Sequence, residues 1–333
     1  MSNAPAEKLS LAWRLRYGAE AALFFAFMGL FKLIGVDAAS WLGGFIGRQV
    51  FARTPVTRRA RDNLKAAFPG MGEAETAAIL AEMWDNLGRT VAEYAHLDKF
   101  RITGPNPRIE FVHTDRIEAA AKTGKGVIFF SGHLANWETM PLTTPDLGLQ
   151  GALVYRPVNN PYIDRWTSRQ RTDNGPSEAI SKGAHGTRRI FTLLRGGKSI
   201  FILVDQKTNE GIPADFFGRM AMTTPAPAVL ALRLGAILQP VTCERMGGAH
   251  FRVTAHAPVE IESSGDHDRD VLALTQKMND VLEAVIRQRP SQWLWIHRRW
   301  PKMGDKPRSR RGREAQALGG SRVGVDSDGS SLT

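Results

Sequence analysis

The sequence predicts an α/β fold: a mixed sheet flanked by helices, preceded by a helical, membrane-associated N-terminal region. Three observations predict it. The segments GVIFFS (126–131), GALVY (151–155) and SIFILV (199–204) are continuous apolar runs rich in Ile, Val and Phe, the pattern of strands covered on both faces. Polar segments of helix length separate these runs. Upstream, residues 55–95 carry apolar side chains at helical spacing instead.

Taken in order, residues 19–36 read AEAALFFAFMGLFKLIGV, near the roughly 20 residues that cross a bilayer. Glu20 and Lys32 interrupt the stretch, so a helix lying in or dipping into the membrane is expected, with a buried core helix as the alternative. Behind it Arg48, Arg53, Arg58, Arg59, Arg61 and Lys65 face only Asp62 as a nearby acid, a cluster suited to an anionic cytoplasmic leaflet. The helical region 55–95 should break at Pro69-Gly70 and present Ile79, Leu80, Met83, Leu87 and Val91 on one face. Further strands are expected at 237–242 and 251–255. Residues 270–289 read as an amphipathic helix with Val271, Leu274, Met278, Val281, Leu282 and Val285 on one side. After Pro301 the chain turns polar and rich in Gly, Ser and Arg, which predicts a disordered tail. The expected division is 1–50 for the membrane-associated helical segment, 51–303 for the α/β domain and 304–333 for the tail.

The 333 residues, 43% of them hydrophobic, are enough for a substantial core. A net charge of +11 and a pI near 10.1 point to an acidic partner: anionic lipid, nucleic acid, an acidic protein or a phosphorylated substrate. Cys243 is the single cysteine, which excludes an intrachain disulfide and a cysteine zinc cluster and fits a reducing compartment. Charged residues among the first twenty (Glu7, Lys8, Arg14, Arg16, Glu20) argue against a cleaved signal peptide.

The segment FFSGHLANWETM (129–140) carries the chemistry. An apolar strand ends at Ser131-Gly132 and His133 emerges beyond it, where α/β proteins commonly place active-site groups. Glu138 follows five residues later. A histidine takes a proton near neutral pH, and a nearby carboxylate can fix its tautomer. No Gly-x-Ser-x-Gly elbow supplies a serine nucleophile, so the natural completion is a substrate hydroxyl that His133 deprotonates. By themselves, a histidine and a glutamate five apart are common by chance and are more often a helix cap and a surface acid.

Other blocks stand in order around this one: RDNLKAAFP (61–69), YRPVNNPYIDRW (155–166), LVDQK (203–207), DFFGRMAMTTPAPAVLALRLGA (215–236) and WLWIHRRWP (293–301). Together they resemble the bacterial lipid A biosynthesis acyltransferases, over roughly residues 9–301. The resemblance implies a glycerolipid-acyltransferase-like fold, an acyl carrier protein thioester as donor, a membrane glycolipid hydroxyl as acceptor, no metal and no cofactor. It implies residence on the cytoplasmic face of the inner membrane. His133 and Glu138 match the family's catalytic pair, so Glu138 is expected to partner the histidine, with no acyl-enzyme intermediate. Arg156 and Asp205 match the arginine and the acidic residue of later blocks. Arg156 would hold a phosphate, which a guanidinium grips in bidentate fashion, and Asp205 would orient Arg156 or a substrate hydroxyl. Asn136 is an expected substrate contact. Phe216, Phe217 and Gly218, with Thr223 beyond them, would form an acyl-chain wall and the start of a helix; core packing is the plain alternative.

Trp293, Trp295 and Trp300 beside Arg298 and Arg299 read either as an interfacial belt or as core. The basic run 298–313 would touch headgroups or act as a solubilising tail. Cys243 reads as a small buried apolar residue. Other membrane lipids, including lysophospholipids, aminolipids and mannosylated phosphatidylinositol, are alternative acceptors. A basic protein binding anionic membrane or nucleic acid is the competing class, but no nucleic-acid module is recognisable, and nucleic acid is not an expected partner.

Overall fold

Residues 10–300 are described in a computed structural model of the chain. Two helices open it, α1 (Leu11–Ile34) and α2 (Val36–Gln49), hinged at Gly35, whose φ of 79° suits glycine. After α3 (Val56–Ala67), the Pro69-Gly70 break separates it from α4 (Glu73–Glu93). Along α4, Ile79, Leu80 and Met83 are buried as expected, while Val91 is exposed. Helix α2 lies directly on α4: a Cβ on Gly88 would meet the Gly43 carbonyl oxygen at 2.1 Å, and one on Gly47 the Trp84 carbonyl oxygen at 2.0 Å. Only glycine allows that approach.

Alternating strands and helices follow: β1 (Ile109–Val112), α5 (Thr114–Lys122), β2 (Val127–Ser131), α6 (Thr139–Leu142), β3 (Gly151–Tyr155), α7 (Pro161–Asn174), β4 (Glu178–Ser181), α8 (Ala184–Arg195) and β5 (Ser199–Leu203). A hairpin, β6 (Ile212–Phe216) and β7 (Arg219–Thr223), leads to α9 (Ala226–Leu234), β8 (Ile237–Gly247), β9 (His250–Ala255) and α10 (His267–Gln288). The seven-stranded sheet runs β1-β9-β8-β2-β5-β3-β4 and is parallel except for the β8–β9 pair. Alternate residues of its central strands go to opposite faces. Ile128, Phe130, Ile200 and Ile202 join one core beneath α8, α9 and α10, and Phe129, Leu153, Phe201 and Val241 join another beneath α5 and α6. Burial on both faces is why these strands are unbroken apolar runs.

The segment expected to be an acyl wall is the β6–β7 hairpin. Phe217 and Gly218 turn it with φ of 56° and 66°, and Thr223 ends β7 rather than starting a helix. The interfacial belt is also corrected: Trp293, Trp295 and Trp300 are buried, and Trp293 and Trp295 pack edge to face at 4.5 Å. Arg299 is fully buried too, donating to Met222 O, Thr223 Oγ1 and Asn279 Oδ1. Burial pulls its guanidinium down to about 10. The expected tail, 304–333, and most of the basic run lie outside the described residues.

Helix α1 is long and apolar enough to cross a membrane by length and composition, yet one face packs on the body. Met28 and Phe31 are buried there, and Phe24 meets Trp166 of α7 edge to face at 5.4 Å. Outward it exposes Leu23, Phe27, Leu30 and Ile34, one helical stripe.

Candidate active site

Parallel strands end side by side, and the sheet uses this at one edge. Ser131 of β2 pairs with Leu203 of β5, and Tyr155 of β3 with Ser181 of β4. His133 and Asp205 therefore each stand two residues past adjacent strand ends, and Arg156 and Lys182 each stand one residue past theirs. All but the buried Asp205 line a single cavity of about 270 Å³.

Asp205 is buried and holds His133 twice: its Oδ1 accepts from the ring Nδ1 at 2.8 Å and its Oδ2 from the backbone N–H at 2.8 Å. Trp293 Nε1 donates to the same Oδ2 at 2.8 Å. Gly132 makes room, since a Cβ there would lie 3.2 Å from the carboxylate. Burial alone would raise the Asp205 carboxyl, but the His133 and Trp293 donors outweigh it and hold it well below the usual carboxylate range. An ionised carboxylate only accepts, so Nδ1 carries the proton and Nε2 keeps its lone pair toward the cavity. Gln206 Nε2 lies 3.1 Å from that nitrogen and 2.9 Å from His297 Nε2. Its two amide hydrogens match the two ring acceptors. Burial brings His297 down to about 4, so it stays neutral.

Glu138 does not reach His133, which corrects the expected pairing. After Gly132 the loop bends through Ala135, at φ 46°, whose carbonyl oxygen accepts from Asn86 Nδ2 at 3.0 Å and Thr90 Oγ1 at 3.2 Å. This turn carries Glu138 toward α4 and α7. There its buried carboxylate accepts from Arg171 Nε at 2.8 Å and Nη2 at 2.6 Å, from Trp137 Nε1 at 3.1 Å and from the Tyr94 hydroxyl. Burial would raise its pKa, but the Arg171 charge and these donors bring it below the ordinary value. Arg171 also donates to the Tyr94 hydroxyl and lies over the Tyr155 ring, 5.5 Å from its centroid.

The remaining expectations divide. Arg156 lines the cavity but forms no ion pair with Asp205 among the described residues. Lys182, its neighbour on the wall, is exposed as a whole. Desolvation where it lines the cavity nevertheless lowers its ammonium, with Arg156 adding repulsion and Asp205 offsetting it. Asn136 is fully buried and structural: Nδ2 donates to Glu93 at 2.8 Å and Oδ1 accepts the Glu138 N–H at 3.2 Å. Phe216, Phe217, Gly218 and Thr223 do not line this cavity. Phe216 stacks on Trp300, Phe217 and Gly218 border a separate groove with Phe68 and Arg287, and Thr223 binds Asn279 and Arg299. The apolar lining comes instead from Phe129, Met140, Leu153, Phe201, Leu203 and Val241, the sheet face beneath α6. Phe129 and Phe201 stack there at 4.9 Å.

Arg171, Lys182, Gln206 and His297 were not singled out from sequence. Gln206 adjoins Asp205, and His297 sits inside the block WLWIHRRWP, so position within recognised blocks was their one signal. Arg171, one of three arginines on α7 at 165, 169 and 171, carries no mark that separates it from a solvated neighbour. Cys243 is buried and its thiol is pushed up to about 12 by burial, consistent with an inert side chain.

Sequence similarity to known proteins extends over nearly all of the described residues. The family model for bacterial lipid A biosynthesis acyltransferase matches residues 10–302. The lipid A biosynthesis myristoyltransferase of Escherichia coli is 27% identical over 261 residues, covering 77% of each chain. The lipid A biosynthesis acyltransferase of Haemophilus influenzae is 23% identical over 244 residues, covering 72% of this chain and 73% of its own. The phosphatidylinositol mannoside acyltransferase of Mycolicibacterium smegmatis is 26% identical, covering 70% of this chain and 78% of its own. The chain therefore belongs to the bacterial lipid A biosynthesis acyltransferase family, and it is an acyltransferase.

Proposed function

We propose that the protein moves a fatty acyl chain from an acyl carrier protein thioester to a hydroxyl of a lipid A precursor or related glycolipid, on the cytoplasmic face of the inner membrane. The observation that carries this is the Asp205–His133 pair opening onto a cavity with a polar mouth and an apolar interior. Asp205 fixes the tautomer and stabilises the imidazolium that forms; His133 Nε2 takes the proton of the acceptor hydroxyl as its oxygen adds to the thioester carbonyl. Collapse of the tetrahedral intermediate breaks the C–S bond, and the imidazolium returns its proton to the departing thiolate. Gln206 swings from Nε2 to admit the hydroxyl. Glu138 acts as a positioning residue that fixes Arg171 in the wall, where a buried cation favours developing negative charge.

The acyl chain lies along Phe129, Leu153, Phe201 and Val241. Arg156 and Lys182 at the mouth are suited to a phosphate, of the carrier's prosthetic arm or of the acceptor. The net charge of +11 favours an acidic carrier and an anionic bilayer. An inositol-phosphate mannoside acceptor is the second reading, favoured by the 26% identity to the mycobacterial enzyme.

The test is product analysis with purified protein. Acyl carrier protein thioester is offered with a lipid A precursor, a mannosylated phosphatidylinositol and a lysophospholipid in separate reactions. An ester on the lipid A precursor, with one free carrier thiol per ester, is expected. Transfer to the mannoside alone would favour the second reading, and thioester hydrolysis without transfer to any acceptor would contradict both.

A further inference from the structure

We propose that the Ser131 hydroxyl is the hydrogen-bond donor that meets the thioester oxygen as it becomes an oxyanion; this rests on the acyl-transfer reading above. Among the described residues, four buried side-chain polar atoms have no hydrogen-bond partner: Trp84 Nε1, Ser131 Oγ, Gln239 Oε1 and Arg299 Nε. Of these four residues, Ser131 alone lines the cavity. A buried hydroxyl without a partner is unfavourable, and such a group in a native pocket calls for an explanation that the resting protein does not supply.

Its place on the strand indicates which substrate atom would meet it. Ser131 is the last residue of β2, and its side chain shares a face with Phe129 two residues before it. Phe129 belongs to the apolar interior, one strand step of two residues, roughly 7 Å, before Ser131, and His133 stands two residues beyond Ser131, past the strand end. Ser131 thus occupies the seam between the apolar interior and the base. An acyl thioester with its chain against Phe129 and its carbonyl carbon within reach of the oxygen that His133 deprotonates has its carbonyl oxygen at that seam.

Several donors beside His133 are committed in the resting site. The Gln206 amide hydrogens go to His133 and His297. The His133 backbone N–H goes to Asp205. Arg171 Nε and Nη2 go to Glu138 and Tyr94. The Ser131 O–H is uncommitted. When the acceptor oxygen adds to the carbonyl carbon, the carbonyl π pair moves onto oxygen, and that oxygen accepts the Ser131 hydrogen bond. Ser131 keeps its proton and forms no covalent bond; the intermediate then expels the thiolate.

The experiment compares Ser131→Ala and Ser131→Cys with the parent protein, using acyl carrier protein thioester and a lipid A precursor. Ser131→Ala should lower kcat by about 100- to 1,000-fold, the usual effect of deleting one oxyanion donor, with KM little changed. Its thermal midpoint should stay level or rise, because an unpartnered buried hydroxyl has been removed. Ser131→Cys, a weaker donor, should fall between. A parental kcat in Ser131→Ala, a loss confined to KM, or a lowered melt in both variants would overturn the proposal. So would a covalent acyl group on Ser131 in single turnover. If the parent protein transfers no acyl group, the functional reading fails and this proposal with it; an active parent with an unaffected Ser131→Ala sinks the proposal alone.

Discussion

At the scale of single residues, the site separates its titratable groups by environment. Asp205 is ionised because its donors outweigh its burial, and His297 is neutral because burial, reinforced by the charges of Arg59 and Arg156, outweighs the attraction of Asp205. The second has a pH consequence. His297 binds a proton at about 4 in the folded protein and near 6.5 when unfolded. The unfolded chain therefore holds the extra proton first, and stability falls as pH drops from about 6.5 to 4, by up to roughly 3 kcal/mol. His297→Gln should flatten that part of the stability curve. Denaturant midpoints at several pH values measure it, and an unchanged slope would show that His297 is not the group responsible.

At the scale of elements, parallel pairing does what residue spacing along the chain does not. The sequence interval from His133 to Glu138 is short, but the pairing of β2 with β5 brings Asp205 onto His133 across 72 residues. Strands β2, β3, β5, β8 and β9 were legible as short apolar runs, and helices α3, α4 and α10 as segments of helical pattern, interrupted between α3 and α4 at Pro69-Gly70. The β6–β7 hairpin was not, because Phe217-Gly218 turns on backbone conformation rather than composition. The acyl wall was misplaced for the same reason: Phe129, Leu153 and Phe201 read as strand core, and nothing in one sequence says which sheet face is left partly uncovered. The stacked rings of Phe129 and Phe201 line the apolar interior. Phe201→Leu, which enlarges the lined space, should shift donor preference toward longer acyl chains, each buried methylene contributing about 0.8 kcal/mol. Competition among carrier thioesters of graded length reads this directly; an unaltered profile would place the chain elsewhere.

At the scale of the whole molecule, α1 rests on the body through Ala21, Phe24, Met28 and Phe31 while a stripe of Leu23, Phe27, Leu30 and Ile34 faces outward. A helix with one face on protein and one apolar face free suits a bilayer surface, with the exposed stripe immersed. Replacing those four residues with serine should release the protein from membranes at lower salt and leave its cooperative melt in place. Undiminished membrane binding, or a lost melt, would contradict that arrangement.

The most direct test of the chemistry is single-turnover acyl transfer by His133→Ala and Asp205→Asn beside the parent protein. Loss of the general base should slow transfer about 100- to 10,000-fold, with Asp205→Asn falling in the same direction and the fold intact by thermal melt. Transfer by folded His133→Ala at the parental rate would contradict His133 as the base and, with it, the assignment of this cavity as the site of acyl transfer.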